Sequence, residues 1–230
     1  MSNLAIIPAR GGSKRIPKKN IKEFLGEPII NYPIKAAISS GCFDKVMVST
    51  ENEEIAAIAK SCGAEIPFMR SIETSNDFAT TADVIREVII NYEKVEEKFT
   101  HICCLYPTAV FASVKIIQQA NMIMLQERVS GVATIVPYQH PIEQALEIDN
   151  DQHISYREPQ FSTIRTQDLT AYYHDAGQLY FLSVERFLEE RKMFVTGMKA
   201  IILDPIRVQD IDTIGDWNLA ELKYSQLIKI

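Results

Sequence analysis

Short apolar runs alternate along the chain with longer segments whose apolar residues recur at helical spacing. The apolar runs predict strands at Leu4–Pro8, Lys45–Ser49, His101–Leu105 and Gly131–Val136. The segments of helical period predict helices around Tyr32–Ser40, Asn52–Cys62 and Ser113–Glu127. Near-continuous apolar strands that alternate with helices are typical of a mostly parallel sheet covered on both faces. The pattern therefore predicts a doubly wound α/β fold.

The alternation stops between Tyr138 and Tyr173, where polar residues and prolines interrupt short β-like stretches. We interpret residues 138–173 as an insertion that leaves the sheet. It carries more apolar side chains than a free loop would, namely Ile142, Leu146, Ile148, Ile154, Tyr156 and Phe161. Because an exposed apolar surface indicates an interface, the insertion predicts a homodimer. After it, the pattern predicts strands at Gln178–Leu182 and Lys199–Leu203 and a last helix at about Thr213–Leu227.

Composition limits the class of protein. The 230 residues include 23% charged and 47% hydrophobic side chains, typical of a globular protein, and fit one domain over residues 1–230. The formal net charge of -6 argues against nucleic acid as a partner, since a phosphate polyanion attracts broad basic surfaces. No apolar run reaches the roughly 18–20 residues of a membrane span, and Met1–Ile7 is too short and uncharged for a secretory signal. We therefore expect a cytoplasmic protein that does not enter a membrane.

The four cysteines are Cys42, Cys62, Cys103 and Cys104, and they lack the CxxC spacing of a zinc site. Cys103 and Cys104 lie within a predicted apolar strand. We expect all four to be reduced thiols of the core, without a metal or redox role.

A cluster of positive charge, ARGGSKRIPKKN, follows the first predicted strand. In open α/β sheets, ligands bind beyond the carboxyl ends of the strands, and this first loop is a frequent phosphate site. Gly11 and Gly12 would let backbone N–H groups approach an anion, and four side chains add charge: Arg10, Lys14, Arg15 and Lys19. The alternative is a solvated surface cluster, but the glycines, the position and the acidic background favour a triphosphate site. The absence of GxxxxGK[ST] and GxGxxG argues against an ATPase or a Rossmann dehydrogenase.

A second polar signal is the sequence VQDIDTIGDW, at Val208–Trp217. In an extended segment, the carboxylates of Asp210 and Asp212 project from the same side and can share a hard cation such as Mg²⁺. The alternative is a helix start, with Asp212 or Thr213 as the N-cap and Asp216 in the first turn. A polyphosphate loop in the same chain favours the metal site, so we expect Mg²⁺ as the cofactor.

These motifs make the chain similar to the cytidylyltransferases that activate nonulosonic acids, a family that includes CMP-sialic acid synthetases. The resemblance covers nearly the whole chain and rests on IIPARGGSKRIPKKNI, VMVSTENEEIAAIAKSCGAE, FMRSIETSNDFATTADVI and VQDIDT. It is strongest to the members that use pseudaminic acid, through TIRTQDLTAYYHDAGQLYF (Thr163–Phe181) and VQDIDTIGDWNLAELKYSQL. The resemblance implies a Rossmann-type fold like that of nucleotide-diphospho-sugar transferases, with a small inserted dimerisation extension.

The resemblance also implies a reaction, in which CTP and a nine-carbon α-keto sugar acid give a CMP-sugar and pyrophosphate, for the glycosylation of cell-surface glycans or flagellin. Matched by position, the nucleotide site comprises Arg10, Gly11, Gly12, Ser13, Lys14, Lys19 and Asn20 in the first loop, and Arg70, Asp77 and Thr81 around the cytidine. Asp210 and Asp212 match the metal-binding pair and, with Arg10 and Lys19, would be catalytic. This agrees with the need to neutralise charge on the phosphates and the departing pyrophosphate.

The sugar side departs from the CMP-sialic acid synthetases, which usually have Gln in place of Tyr106 and Asn-Gly where this chain has Asp175-Ala176-Gly177. We therefore do not expect N-acetylneuraminic acid as the substrate. Arg165 is expected to hold the sugar carboxylate bidentately, with Arg157 as a second candidate. Gln167 would bind amides or hydroxyls, Asp175 would accept a hydrogen bond from a sugar hydroxyl, and Tyr106 would line the same pocket. For each arginine, the alternative is a surface or dimer ion pair.

Other functions stay open at this point. Within the family, the alternatives are enzymes for legionaminic, N-acetylneuraminic or 3-deoxy-octulosonic acid. Outside it, the alternative is a regulatory module that binds a nucleotide without turnover. The pair Asp210 and Asp212 favours an enzyme, since binding alone does not need a positioned metal ion.

Overall fold

The computed structural model describes residues 2–126 and 129–228, so the predicted helix end at Glu127 lies outside the described residues. The strands are β1 (Asn3–Pro8), β2 (Glu23–Phe24), β3 (Glu27–Pro28), β4 (Lys45–Ser49), β5 (His101–Leu105), β6 (Gly131–Pro137), β7 (Leu146–Ile148), β8 (Ile154–Tyr156), β9 (Tyr173–Ser183) and β10 (Met198–Ile202). The helices are α1 (Asn31–Ser40), α2 (Glu53–Ser61), α3 (Thr81–Lys94), α4 (Val114–Met124), α5 (Val184–Glu190) and α6 (Ile214–Ile228).

The central sheet has six strands in the order β10-β6-β9-β5-β1-β4. β1 is parallel to β4 and β5, and β10 is parallel to β6, whereas β9 is antiparallel to both of its neighbours. The predicted mostly parallel α/β sheet is therefore confirmed. Because the carboxyl ends of parallel strands share one edge, the segments that follow β1, β4 and β5 lie side by side there.

Helices cover both faces of the sheet, and the alternation of side chains in β1 shows how. Ala5 and Ile7 belong to a cluster with buried residues of α1, α2 and α4. Leu4 and Ile6 belong to a second cluster, with buried residues of α3 and α5. Since successive strand residues point to opposite faces, one apolar strand contributes to two cores.

The hydrophobic pattern did not lead us to predict α3, although its signals are present in the sequence. The helix begins with a capping box, in which the Asp83 N–H donates to Thr80 Oγ1 at 3.2 Å and the Thr80 N–H donates to Asp83 Oδ2 at 2.9 Å. Its buried residues follow helical spacing and are Val84, Ile85, Val88, Ile89 and Tyr92. This helix starts directly beside the carboxyl edge of the sheet, because Thr80 and Thr81 line the cavity at that edge.

Residues 138–172 leave the central sheet, and we call them the extension, whereas Tyr173, the last residue of the predicted insertion, belongs to β9. It contains a separate two-stranded sheet, formed by β7 and β8. Its two ends lie together, because Pro137 pairs with Tyr173 and the Tyr138 N–H donates to the Tyr172 carbonyl at 3.0 Å. β9 therefore starts well before the predicted Gln178. A register shift opposite Ala133 and Ile135 interrupts the pairing of β6 with β9 and obscures this start in the sequence pattern.

A third apolar cluster joins α6 to the rest of the molecule. Trp217 and Ala220 of α6 pack with Phe24 and with Ile211, which is fully buried. Phe24 also makes an edge-on contact with Trp217, with ring centroids 5.7 Å apart. The burial of Ile211 fixes the backbone between Asp210 and Asp212.

The four cysteines are free thiols, as predicted. Cys103 and Cys104 are fully buried in β5, but Cys42 and Cys62 are only partly buried, so the prediction of core burial holds for two of them. Within residues 2–126 and 129–228, no cluster of three or more His, Cys, Asp or Glu residues could hold a metal ion. None of the helices described there is both long and apolar enough to cross a membrane.

Candidate active site

A cavity of about 540 Å³ lies at the carboxyl edge of the sheet. Eight of the ten residues predicted for the nucleotide site line it, namely Arg10, Ser13, Lys14, Lys19, Asn20, Arg70, Asp77 and Thr81, whereas Gly11 and Gly12 do not. Tyr106, predicted for the sugar site, and Asp210, predicted for the metal site, also line it. Together, these lining residues come from the loop after β1, the segment between α2 and α3, the end of β5 and the segment before α6. The structure thus brings together four parts of the chain that are far apart in sequence.

The charge around the cavity is opposite in sign to that of the whole chain. Among the described residues, five cationic side chains line it, namely Arg10, Lys14, Arg15, Lys19 and Arg70, against the two carboxylates of Asp77 and Asp210. The chain as a whole carries a formal net charge of -6. A local excess of positive charge in a concave site attracts anions, so the cavity suits a polyanionic ligand.

Asp77 holds two of these cations. Arg10 Nη1 lies 2.7 Å from Asp77 Oδ1, and Lys14 Nζ lies 2.6 Å from Asp77 Oδ2. The hydrogen bond from Lys14, followed by that from Arg10, lowers the pKa of the Asp77 carboxyl below its usual value. An external anion that binds Arg10 and Lys14 must therefore compete with the Asp77 carboxylate.

The two glycines of the loop have different surroundings. The Gly11 N–H donates to Glu51 Oε1 at 2.6 Å, and a Cβ on Gly11 would lie 2.8 Å from Asn52 Nδ2. Glycine at this position therefore lets the loop pack closely on the end of β4, and its N–H is engaged within the protein. A Cβ on Gly12 would meet open space, so the two positions serve different purposes.

Two further contacts brace the same loop. Asn20, a buried side chain, donates from Nδ2 to the Arg10 carbonyl at 2.8 Å. Lys19 belongs to a short 3-10 helix at Lys19–Ile21, and its Nζ donates to the Ile211 carbonyl at 2.7 Å. The loop after β1 is therefore tied both to itself and to the segment before α6.

The segment that contains Asp210 and Asp212 does not cap a helix with either carboxylate. Thr213 does so instead, because the Asp216 N–H donates to Thr213 Oγ1 at 3.2 Å and the Thr213 N–H donates to Asp216 Oδ2 at 2.7 Å. Of the alternatives for the helix start, the structure therefore has Thr213 and not Asp212 as the cap. The cap therefore uses neither the Asp210 nor the Asp212 carboxylate.

Asp210 and Asp212 differ in their contacts. Asp212 Oδ1 lies 2.8 Å from Arg15 Nη2 and 3.5 Å from Lys19 Nζ, and Asp212 does not line the cavity. Asp210 lines the cavity and is an exposed residue. The surrounding protein nevertheless removes part of the water around its carboxyl group. This desolvation, and then the nearby charge of Asp212, raise the pKa of the Asp210 carboxyl above its usual value. A bound cation would relieve both effects.

Arg70 is a buried cation at the base of the cavity. Its Nε donates to Ser49 Oγ at 3.1 Å, and its Nη2 donates to the Ser49 carbonyl at the end of β4. Burial lowers the pKa of Arg70, while the nearby carboxylates of Glu51 and Glu87 oppose that shift. The guanidinium is therefore held in place by the strand end and presents a fixed charge to the cavity.

Tyr106, at the end of β5, connects the cavity to β9. Its hydroxyl lies 3.1 Å from Thr81 Oγ1, and its ring packs edge-on against Tyr180, with centroids 5.6 Å apart. Tyr180 in turn donates a hydrogen bond to Asp175 Oδ2. Asp175 itself does not line the cavity, but this chain of contacts links it to the cavity wall.

The predicted sugar residues of the extension lie elsewhere within the single chain. Arg165 precedes a short 3-10 helix at Thr166–Asp168, which contains Gln167, and both side chains are exposed. Neither lines the main cavity, whereas Arg157 lines a separate cavity of about 340 Å³ inside the extension. One copy of the chain therefore does not bring Arg165 and Gln167 into the cavity that the residues predicted for the nucleotide line.

Several residues that line the cavity were not assigned to the site in the sequence analysis, or were given only a minor role there. Thr74, Asn76, Thr80 and Thr108 line it but were not predicted, and Arg15 was considered only as part of the loop charge. Their signal was present in part, because Thr80 belongs to the capping box of α3 and Thr74 and Asn76 lie shortly before the predicted Asp77. Glu51 accepts a hydrogen bond from the Gly11 N–H, and Tyr180 donates one to Asp175. No local pattern in the sequence predicted either contact.

The sequence of the chain that forms this cavity is similar to the sequences of known proteins. The model of the cytidylyltransferase family matches residues 4–195. The chain belongs to this family. Cytidylyltransferases are nucleotidyltransferases, and a cationic cavity at the carboxyl edge of the sheet suits a nucleoside triphosphate.

Curated relatives of this cytidylyltransferase match over nearly its whole length. It is 38% identical to the pseudaminic acid cytidylyltransferase of Campylobacter jejuni over 224 residues, which cover 97% of each chain. It is 30% identical to the CMP-N,N'-diacetyllegionaminic acid synthase of Legionella pneumophila, over 96% of this chain and 95% of that one.

Solved structures support the same fold. A CMP:2-keto-3-deoxy-manno-octonic acid synthetase complexed with CTP matches with a TM-score of 0.69 at 16% identity, over 100% of both chains. A 4-diphosphocytidyl-2C-methyl-D-erythritol synthase from Anaerococcus prevotii matches with a TM-score of 0.62 at 14% identity, over 98% of both chains. At these identities, the similarity concerns the fold.

Proposed function

We propose that this cytidylyltransferase joins CTP to pseudaminic acid and releases pyrophosphate. The observation that carries the proposal is the cavity in which the cations of the first loop face Asp210 across the carboxyl edge of the sheet. The choice of sugar rests on the 38% identity to a pseudaminic acid cytidylyltransferase over 97% of the chain. Tyr106 and Asp175, which differ from the CMP-sialic acid synthetase pattern, agree with a sugar other than N-acetylneuraminic acid.

In this reaction, the anomeric hydroxyl oxygen of the sugar acid forms a bond to the α-phosphorus of CTP. The bond from that phosphorus to the bridging oxygen of pyrophosphate breaks, and the hydroxyl proton leaves to solvent or a base. Negative charge accumulates on the departing pyrophosphate, so fixed cations near it lower the barrier. Lys14 and Arg10 would hold the triphosphate, and Lys19 would face the charge that develops.

Asp210 and Asp212 would hold the Mg²⁺ ion. Their carboxylate oxygens are hard ligands of the kind that Mg²⁺ prefers, and the cap of α6, formed by Thr213 and Asp216, uses neither of them. At Asp212 the ion would compete with the Arg15 guanidinium. Two protein carboxylates are a usual number for Mg²⁺ that is also bound by substrate phosphates. When bound, the ion supplies charge neutralisation on the phosphate oxygens.

We also propose a homodimer whose extension completes the sugar site of the other copy. The support is that Arg165 and Gln167 are exposed and do not line the cavity within one chain. The extension also carries exposed apolar side chains: Ile142, Leu146, Ile148, Ile154, Tyr156 and Ile164. A second copy that covers this apolar surface could carry Arg165, with its planar guanidinium, toward the sugar carboxylate. Because CTP is a cytoplasmic nucleotide, we place the reaction in the cytoplasm.

A pyrophosphate-release assay with CTP and a panel of sugar acids tests the proposal. We expect kcat/KM for pseudaminic acid to exceed that for N-acetylneuraminic, legionaminic and 3-deoxy-octulosonic acids by about 10- to 100-fold, since a mismatched polar group costs about 1–3 kcal/mol. Replacement of CTP by UTP should lower the rate strongly. Equal kcat/KM values for pseudaminic and N-acetylneuraminic acids would contradict the substrate, and CTP binding without any pyrophosphate release would indicate a regulatory module instead.

A further inference from the structure

Tyr180 is a buried residue of β9 with no part in the functions proposed above. Only 1% of it is exposed, and its ring lies between two other aromatic rings. It packs edge-on against Tyr106, and on another side against Phe194, with ring centroids 5.7 Å apart at 88°. Rings held edge-on in this way fix the direction in which the hydroxyl group points.

That hydroxyl donates a hydrogen bond to Asp175, five positions earlier on the same strand. The other carboxylate oxygen of Asp175 accepts a hydrogen bond from the Gly177 N–H at 2.9 Å. Gly177 has φ of 62°, a left-handed conformation that favours glycine and turns the backbone between Asp175 and Tyr180. Both oxygens of Asp175 are therefore held by donors within the protein.

The Tyr180 phenol is also held in its protonated form. Burial, followed by the proximity of Tyr106, raises the pKa of Tyr180 far above its usual value, so the phenol keeps its proton and acts as a donor. Burial likewise raises the pKa of Tyr106. Asp175 is exposed on its outer side and retains acceptor lone pairs there, since each carboxylate oxygen can accept more than one hydrogen bond.

We infer that Tyr180 is a positioning residue that holds the Asp175 carboxylate as a rigid acceptor for hydrogen-bond donors of the sugar acid. The groups on the sugar that an ionised carboxylate can recognise are hydroxyls and the N–H of acylamino substituents. Tyr106 lines the cavity and packs against Tyr180, so it connects this acceptor to the cavity. The inference rests on the proposed function, because it assigns the selection among sugar acids to Tyr180 and Asp175.

Two single variants and their combination test the inference by steady-state kinetics. Tyr180→Phe keeps the ring and removes the hydroxyl, and Asp175→Asn removes the charge. We expect each to raise KM for pseudaminic acid on the order of 10-fold, which is the scale of one lost hydrogen bond to a charged group, while KM for CTP changes less than about 2-fold. The double variant should be no worse than the more affected single variant, since both changes remove one unit.

Tyr92→Phe is the matched control. Tyr92 is a second buried tyrosine of the same apolar cluster, 2% exposed, and its hydroxyl has no hydrogen-bond partner among the described residues. Its removal should change neither KM. If Tyr180→Phe does not fold, judged from its melting temperature, Asp175→Asn alone decides, because that carboxylate is on the surface.

The outcomes separate the inference from the proposed function. If the wild type uses CTP and pseudaminic acid but Tyr180→Phe or Asp175→Asn leaves the sugar KM unchanged, the inference is wrong and the function stands. An equal rise of both KM values would show a general structural defect and would also overturn it. If the wild type releases pyrophosphate with none of the sugar acids, the proposed function fails first and the inference falls with it.

Discussion

The ammonium group of Lys19 donates a 2.7 Å hydrogen bond to the backbone carbonyl of Ile211, 192 residues later in the chain. This contact joins the loop after β1 to the segment before α6. Because Ile211 is fully buried, its carbonyl is a fixed acceptor, and Lys19 is held next to both Asp210 and Asp212. The main cation and the carboxylate pair of the site are therefore parts of one rigid arrangement.

Lys19→Gln is expected to lower kcat by at least about 10²-fold, which is the scale of losing one electrostatic contact to a transition state. The melting temperature should fall by only a few degrees, since one partly exposed hydrogen bond is lost. Lys18→Gln is the matched control, because Lys18 pairs with Glu54 and does not line the cavity. A Lys19 variant as active as the Lys18 variant would remove Lys19 from the mechanism.

Substitutions of the two carboxylates Asp212 and Asp216, at the start of α6, should have opposite effects on activity and stability. Asp212→Asn should cut kcat by at least about 10²-fold with little loss of stability, and excess EDTA should abolish activity. Asp216→Asn should do the reverse and lower the free energy of unfolding by about 1 kcal/mol through the weakened cap, with near-normal kcat. Kinetics and thermal unfolding of both variants are the measurements. Full activity in EDTA would refute the metal site.

The Mg²⁺ concentration that the enzyme needs for half-maximal rate should depend on pH. Because the pKa of Asp210 is raised, more of its carboxyl is protonated at a given acidic pH than for an ordinary aspartate, and the proton competes with the cation. The Mg²⁺ concentration for half-maximal rate should therefore rise as the pH falls and stay constant on the alkaline side. Rate measurements in which Mg²⁺ is varied at each pH, with total CTP and the sugar acid held at fixed concentrations, would show it. A value that is independent of pH would exclude Asp210 as a ligand.

Asp77→Asn should strengthen the binding of an external anion by freeing Arg10 and Lys14. We expect the affinity for inorganic tripolyphosphate to rise about 2- to 5-fold at low salt, as for one exposed ion pair, and the gain to shrink at high salt. Glu54→Gln, which removes a carboxylate from Lys18 outside the cavity, is the control. Calorimetric titration measures both. Weaker binding by the Asp77 variant would mean that Asp77 organises the loop for the anion.

Ile148→Glu is expected to convert the proposed dimer to a monomer at micromolar concentration. Ile148 is 64% exposed on β7 of the extension, where a buried charge without a partner would oppose association. Met122→Glu is a matched control, since Met122 is 63% exposed on α4 of the main domain. Light scattering gives the mass of each variant. A wild type that is already an active monomer would contradict the dimer.

The sequence was sufficient for the parallel part of the fold, for a physical reason. β4 and β5 have the predicted bounds because each is a continuous apolar run, buried on both faces, between polar residues. β9 was only half predicted, because Gly177 and the register shift beside Ala133 break the alternation that identifies a strand. Its antiparallel direction depends on the return of the chain from the extension, which no local pattern encodes.

In the site, too, a local sequence pattern predicted some residues, while others depend on contacts between distant parts of the chain. Arg10, Lys14 and Lys19 were predictable because they follow one strand in a single short loop. The contacts of Gly11 with Glu51, and of Lys19 with Ile211, depend on which strands are neighbours in the sheet and had no local signal. Tyr180 was likewise hidden, since an aromatic residue in a strand usually indicates only a core position.

Because the two ends of the extension lie together, the extension could be replaced as a unit without disturbing the central sheet. Since Tyr138 and Tyr172 already hydrogen-bond across its neck, β6 and β9 would form an ordinary hairpin if a tight turn replaced the segment between them. Insertions at such a neck are tolerated, because the backbone on either side is in place without them. Grafts from related enzymes could therefore exchange the proposed sugar-facing and subunit-facing surface while the cavity at the carboxyl edge of the sheet stays as it is.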